Sequence, residues 1–292
     1  MALLNGFCKE EYPNGDSYEG LFKKGARHGR GTYYCHDGGH YEGEFNEGMM
    51  EGTGTYFYAR NETFEGEWHN SERHGYGKFT YHDKTVYEGR WEADLRHGQG
   101  MMRYADGAIF SGAWSHDKRH GQGQMKFADG GQYHGAWADD ARHGVGTLKL
   151  QNGSAYEGEF LDDIPSGQGT LFDADECSNY VGQFSDGLRH GEGTCTYTKS
   201  GDKFIGTWLA GARLKGVMYL AGGEVEKVGF LNDKLVRREK LSAKEQKKLL
   251  AEAAGEKYVE EVEAPKEVAA EAETEAPSGQ VLEEGPSEAV AA

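Results

Sequence analysis

The chain offers one constellation that could do chemistry, and it offers it six times. Arg96-His97-Gly98-Gln99-Gly100 sets an imidazole between a guanidinium and two glycines. Such a group could be a general base on a pliant loop, a metal ligand, or part of a backbone nest for an oxyanion. His28, His74, His120, His143 and His190 stand in the same Arg-His-Gly-x-Gly setting.

Catalysis is the weaker reading. A catalytic centre is normally singular. No G-x-S-x-G elbow accompanies the histidines, and no Ser or Cys stands at a matched offset beside them. No phosphate-cradling G-x-x-x-x-G-K-[ST] occurs either. Metal fares no better. If successive copies lie two strands apart, equivalent nitrogens are ~9–10 Å from each other, whereas zinc holds its nitrogens at about 2.0–2.1 Å. Cys8, Cys35, Cys177 and Cys195 form no C-x-x-C pair, so reduced thiols in a cytosolic compartment are expected. No cofactor, metal or catalytic residue is assigned.

The elements that position the histidines come from a repeat. Taking Tyr18 as offset zero, aromatics recur every 23 residues at Tyr41, Phe64, Tyr87, Phe110, Tyr133 and Tyr156. Tyr180 and Phe204 follow at steps of 24. Glycine fills offset +2 in all nine units, and Phe or Trp fills +4, as in Trp68, Trp91, Trp114, Trp137 and Trp208. The histidines fall at +10, with glycine at +11 and +13 in the first eight units. A degenerate tenth start lies near Val228-Gly229-Phe230.

In a strand every second side chain shares a face. Offsets 0, +2 and +4 therefore place ring, glycine, ring on one face, and Glu19, Glu42, Glu44, Glu65 and Glu67 on the other. On the same parity the glycines at +11 and +13 are predicted beneath the rings. A sheet with no second layer must fold its rings over neighbouring backbone, and glycine leaves that space. Asp106-Gly107, Asp129-Gly130 and Asn152-Gly153 supply left-handed turns between units. A six-residue loop from +5 is expected within each unit, the histidine marking the entry to the second strand. The His partner is expected to be a Glu, Tyr or backbone group of the same or adjacent unit. The arginines at +9 are expected to pair with Asp94, Asp117, Asp140 and their equivalents in the same loops. Nine hairpins make eighteen strands, or roughly 85 Å of sheet at ~4.8 Å per strand.

Composition agrees. Glycine numbers 45 of 292, proline only 5, and aromatics reach 12%, a balance that suits tight turns and close backbone approach. The formal charge of −17 disfavours nucleic acid and anionic membrane as partners. The N-terminal MALLNGFCKEE does not read as a secretory signal, and no apolar run approaches the ~20 residues of a membrane span.

Tyr-Glu-Gly-x-Phe/Trp followed by His-Gly-x-Gly, as in "YEGRWEADLRHGQG" at 87–100, resembles the MORN repeat over about residues 16–220. The resemblance implies an elongated, twisted, single-layer antiparallel sheet of stacked β-hairpins. With "RHGQG" at 96–100 and 119–123, Gly66-Glu67-Trp68, and an acidic tail, the chain is most similar to the radial spoke head MORN proteins of cilia and flagella. That implies a non-catalytic scaffold of a cytoskeletal assembly, the axonemal radial spoke head, with other proteins of that complex as partners. Two alternatives stay open: a membrane-associated tether, dimeric through its last units, or a regulatory subunit of a separate kinase.

The expected organisation is a partial hairpin or cap at 1–17, the repeat array at 18–230, a linker and helix at 231–264, and an acidic Ala/Glu/Pro-rich disordered tail at 265–292. Residues 241–292 carry a net charge of −8. Ser242 and Glu245 form a capping box that predicts a helix over about 242–262, with Gly255 as a weak spot and Leu250, Ala254, Tyr258 and Val262 as an apolar stripe. The tail has too little apolar area to offset its ordering entropy.

Overall fold

A computed structural model describes residues 4–176 and 178–255. The strands begin with β1 (Gly6–Glu11), β2 (Ser17–Lys23), β3 (Ala26–Tyr34), β4 (His40–Asn46), β5 (Met49–Phe57), β6 (Thr63–His69) and β7 (Glu72–Thr80). They continue with β8 (Val86–Glu92), β9 (Leu95–Arg103), β10 (Ile109–Ser115), β11 (Lys118–Lys126), β12 (Gln132–Ala138), β13 (Ala141–Lys149) and β14 (Ala155–Leu161). The last are β15 (Ile164–Asp173), β16 (Ser178–Ser185), β17 (Leu188–Tyr197), β18 (Lys203–Leu209), β19 (Ala212–Tyr219), β20 (Val225–Leu231) and β21 (Lys234–Lys240), before the helix α1 (Ala243–Ala254).

Each strand pairs antiparallel with the next, from β1–β2 to β20–β21. The result is one open meander of stacked hairpins, with β1 and β21 as its edges. Two compact units divide the chain, one ending at Gln246 and the other starting at Lys247. The whole sheet lies in the first.

Two alternating turns explain the register. Between units, a short Asx-type loop reverses the chain: the Asp106 carboxylate accepts from the Ala108 N–H at 2.9 Å, and Gly107 takes φ 91°. Within units, the turn is tighter than the six-residue loop that the sequence suggests. Ala93 and Asp94 both have positive φ, 47° and 65°, the signature of a two-residue type I′ turn. Its twist matches the strands, so Leu95 and Arg96 are already in β9.

The rings make the core. All nine offset-zero aromatics are buried, as are all five tryptophans at +4. Phe79, Met102 and Cys195 at +15 are buried beside them, while Tyr58, Tyr81 and Tyr104 at +17 pack partly buried against that row.

The sheet runs past residue 230, the expected end of the array. Strand β21 occupies part of the expected linker, and all seven of its residues are exposed. In β20, Glu226 takes the ring position and Val228 the glycine position, while Phe230 keeps +4 and meets Phe204 edge-on at 5.7 Å. Glu226 is buried and ion-paired to Arg238 at 3.0 Å.

The capping box forms: the Ser242 N–H donates to Glu245 Oε2 at 2.9 Å, and the Glu245 N–H faces Ser242 Oγ at 3.4 Å. Gly255 ends the helix with φ 74° instead of weakening its middle. No helix residue is buried. Tyr258, Val262 and the expected disordered tail lie outside the described residues.

Candidate docking interface

The Arg-His-Gly-x-Gly segments lie in mid-sheet. In β8–β9, Gly89 opposes Gly100 and Trp91 opposes Arg96. One residue, Arg90, therefore faces three, His97, Gly98 and Gln99, across a β-bulge. Gly98 absorbs the mismatch with φ 61°, where a side chain is disfavoured. The bulge also breaks the parity that puts +11 under the rings. A Cβ on Gly98 would stand 3.1 Å from Arg90 Cδ, on the opposite face. Only +2 and +13 serve the rings: a Cβ on Gly100 would stand 2.6 Å from Tyr87 Cε2, and one on Gly89 2.5 Å from Gly100 Cα.

Tyr87 is fully buried. It meets Trp91 of its own unit edge-on at 5.2 Å and Trp114 of the next at 5.2 Å. Such T-shaped contacts suit the ring quadrupoles. The phenol donates to the Arg90 carbonyl at 3.0 Å, and the Trp91 indole donates to the Gly77 carbonyl at 3.2 Å. Tyr18, Tyr41, Tyr133, Tyr156 and Tyr180 repeat the phenol contact three residues on. Phe64, Phe110 and Phe204 supply the ring alone. Burial pushes the phenols up, to about 12 at Tyr133, Tyr156 and Tyr180.

The arginines at +9 reach forward to the next unit. The Arg96 Nε donates to Asp117 Oδ1 at 2.8 Å, and a second guanidinium N–H donates to the Asp117 carbonyl at 2.8 Å. The guanidinium also lies over Trp114, 4.6 Å from the ring centroid, a cation–π geometry. Arg73–Asp94, Arg119–Asp140, Arg142–Asp163 and Arg213–Asp233 repeat this joint. The expected pairing within one loop gives way to pairing across units, because the I′ turn puts Asp at +7 beside the preceding unit's strand. Burial works to raise the Asp163 pKa, but hydrogen bonds from the Arg142 N–H and guanidinium outweigh it and hold it below its ordinary value. Two arginines find other acceptors: Arg27 donates to the Gly48 carbonyl at 2.6 Å, and Arg189 to Glu176 at 3.1 Å.

None of the six histidines is buried. His97 Nε2 stands 3.5 Å from Glu92 of its own unit, and its ring is edge-on to His116 of the next at 5.8 Å. His143 Nδ1 is 3.8 Å from Asp162, and His74 lies 5.7 Å from the His69 ring. The expected Glu stands beside His97, whereas His143 faces an Asp, both at distances of solvent-screened pairs. Among the described residues, no three His, Cys, Asp or Glu gather into a metal-binding group.

With the rings inward, the opposite face is the broad free surface. Across its first eight strands runs an open groove of about 960 Å³, lined by Glu19, Glu42, Glu65 and Glu88 with Arg30, Lys78 and Tyr76. The acids are the +1 positions of four successive units. Later units place Ser111, His134, Val181 and Ile205 there or nearby, with only Glu157 acidic. This change along the face was open to view in the sequence at offset +1.

One family model follows this geometry. The MORN repeat family model matches residues 3–17, 18–40, 41–63, 64–86, 87–109, 110–132, 133–155, 156–178 and 180–201. The first match is the half unit ending at Pro13–Ser17, and the units from Phe204 onwards lie beyond the last. No curated protein matches. Among solved structures, the TCP domain of SAS-4 (dCPAP) of Drosophila melanogaster, in complex with a proline-rich motif of Ana2, is 14% identical with a TM-score of 0.34, over 52% of this chain and 83% of that one. The wild-type TCP10 domain of Danio rerio CPAP is 13% identical with a TM-score of 0.25, over 80% of this chain and 100% of that one. Scores this low carry no functional meaning. The family model, in contrast, follows the 23-residue register of rings and glycines through most of the sheet, and the chain belongs to the MORN-repeat family.

Proposed function

We propose that this chain is a non-catalytic docking scaffold of a cytoskeletal assembly, the axonemal radial spoke head of a cilium or flagellum. The observation that carries the scaffold reading is the joint between units. Ring stacking and an Arg–Asp pair couple each hairpin to the next, so a partner bound at one unit is held in register with partners bound at others. MORN repeats serve binding and scaffolding in general. The radial spoke assignment draws on narrower support: "RHGQG" at 96–100 and 119–123, Gly66-Glu67-Trp68, and the acidic C-terminal composition. Its partners are other axonemal proteins, with a second copy as a further partner. The net charge of −17 opposes nucleic acid and anionic lipid.

Fractionation of flagellated cells that express the chain tests this. After detergent removal of the membrane, the chain should stay with the axoneme and leave with spoke components at high salt. A wholly detergent-soluble pool would overturn the assignment.

A further inference from the structure

The repeat supplies its own control for finding a specialised surface, because equivalent positions can be compared down the array. The residues at +5 and +8 close each I′ turn and face away from the ring core. In the first six units those pairs are Lys23–Ala26, Asn46–Met49, His69–Glu72, Glu92–Leu95, Ser115–Lys118 and Ala138–Ala141, in which Met49 is the one exposed large apolar residue. In the last four units the closing pairs become Leu161–Ile164, Ser185–Leu188, Leu209–Ala212 and Leu231–Lys234.

Every one of those four pairs carries an exposed aliphatic side chain: Leu161 is 54% exposed, Ile164 46%, Leu188 47%, Leu209 54% and Leu231 65%. They recur at one place in four successive units, and two of them reach the next turn. Ile164 Cγ2 lies 3.6 Å from where a Cβ on Gly187 would stand, and Leu188 Cδ2 lies 3.7 Å from that point on Gly211. Each thus leans over the turn of the next unit. Those two turns hold glycine at +7, as Gly25 and Gly48 do in the first two units, and the aliphatic side chain rests at van der Waals distance over the turn where other units carry the Asp of the joint. An exposed apolar row of this kind marks an interaction surface.

We propose that this rim is the docking site for a basic amphipathic helix of a partner protein. Charge selects the sign. Asp163 and Asp233 are held by Arg142 and Arg213, and Lys234 closes the last turn, so Asp162 and Asp186 at the start of the row are the acids that face a partner and oppose a second copy's rim. Spacing selects the helix. Successive units are two strands apart, ~9.6 Å, and seven helical residues rise about 10.5 Å. One heptad therefore meets one unit, and three to four heptads span the row. An extended peptide repeats its side chains every ~6.6–6.8 Å and falls out of step. The strand ends are also closed by turns here, so there is no free backbone edge for a strand to join.

The inference rests on the docking-scaffold reading, but its test uses the purified full chain and does not depend on where the chain resides. The probe is a synthetic peptide of four heptads, with leucine at the a and d positions and lysine and arginine beside them. The control has the same composition, scrambled. The chain carries ¹³C-labelled Leu and Ile methyl groups. Saturable shifts should be confined to Leu161, Ile164, Leu188, Leu209 and Leu231, and the scrambled peptide should bind at least tenfold more weakly. Leu188→Ser with Leu209→Ser should weaken binding at least tenfold while melting as the parent does, because both side chains are exposed. Glu19→Gln with Glu42→Gln should leave binding unchanged.

Absent saturation, equal binding of the scrambled peptide, an unaffected double serine variant, or shifts spread along the acidic groove would overturn the proposal. So would the same methyl shifts on concentrating the chain alone, which would assign the rim to a second copy, or on adding phosphatidylserine vesicles, which would assign it to lipid.

Discussion

Arg96 and Asp117 sit 21 residues apart in sequence and in contact in space, with Nε 2.8 Å from Oδ1. The pair joins one hairpin to the next while the guanidinium covers Trp114. This single contact gives the arginine at +9 two tasks, ion pairing and ring packing, and the repeat applies it along the sheet.

The joint should be measurable as a coupling. A double-mutant cycle with Arg96→Gln and Asp117→Asn should return about 0.5–1 kcal/mol, the upper range for partly exposed pairs. That coupling should shrink in molar salt. Arg96→Gln alone should cost more than the coupling, because it also uncovers the Trp114 ring. Urea melts of the four proteins give all three numbers.

The two glycines that flank Gln99 should fail for different reasons. Gly100→Ala drives a methyl group into the Tyr87 ring and should lose about 1–3 kcal/mol by overpacking. Gly98→Asn keeps the left-handed backbone that Asn tolerates and meets only the flexible Arg90 side chain, so it should lose the smaller amount, about 1 kcal/mol. Equal losses in denaturant titrations would contradict the assignment of +13 to packing and +11 to the bulge.

Much of this was legible in residue types. The period, the ring-glycine-ring face, the Asp-Gly turns and the Ser242–Glu245 cap all act through local geometry, so spacing reveals them. The bulge was not legible, because counting every second residue assumes an unbroken strand. The Arg–Asp joint was not, because acids in the same loop are nearer in sequence than Asp117 is to Arg96. Strand β21 was hidden by its own role: at an edge, Lys234, Arg237, Arg238 and Lys240 stay in water, and charge protects a strand that has one free side.

Alkaline pH should unfold the sheet. The phenols of Tyr133, Tyr156 and Tyr180 are pushed up to about 12 by burial, against about 10 in an unfolded chain. Their folded values are raised, so their contribution is complete below the unfolded value and is lost as pH rises through the folded one. Stability should thus hold to about pH 10 and fall between about 10 and 12. Phenolate absorbance at 295 nm should show a second, late tyrosine phase that coincides with loss of circular dichroism. A single early phase would contradict the burial of the rings.

Acid should act on the joints. Asp163 and Asp233 are held below their ordinary values, where hydrogen bonds from Arg142 and Arg213 outweigh the opposing effect of burial. A depressed folded value means stability that is complete above the unfolded value and lost as pH falls through the folded one. The melting temperature of the parent should therefore drop below about pH 4, and Asp163→Asn with Asp233→Asn should flatten that drop.

The most direct measurement replaces all six histidines at once, His28, His74, His97, His120, His143 and His190, with asparagine in flagellated cells that express the chain. If Arg-His-Gly-x-Gly is a structural device and the chain a scaffold, the variant should fold, keep its melting temperature within a few degrees, and remain in the demembranated axoneme like the parent. A variant that folds normally but is lost from the axoneme, or loses a bound metal or a measurable reaction, would contradict the account and return the histidines to chemistry.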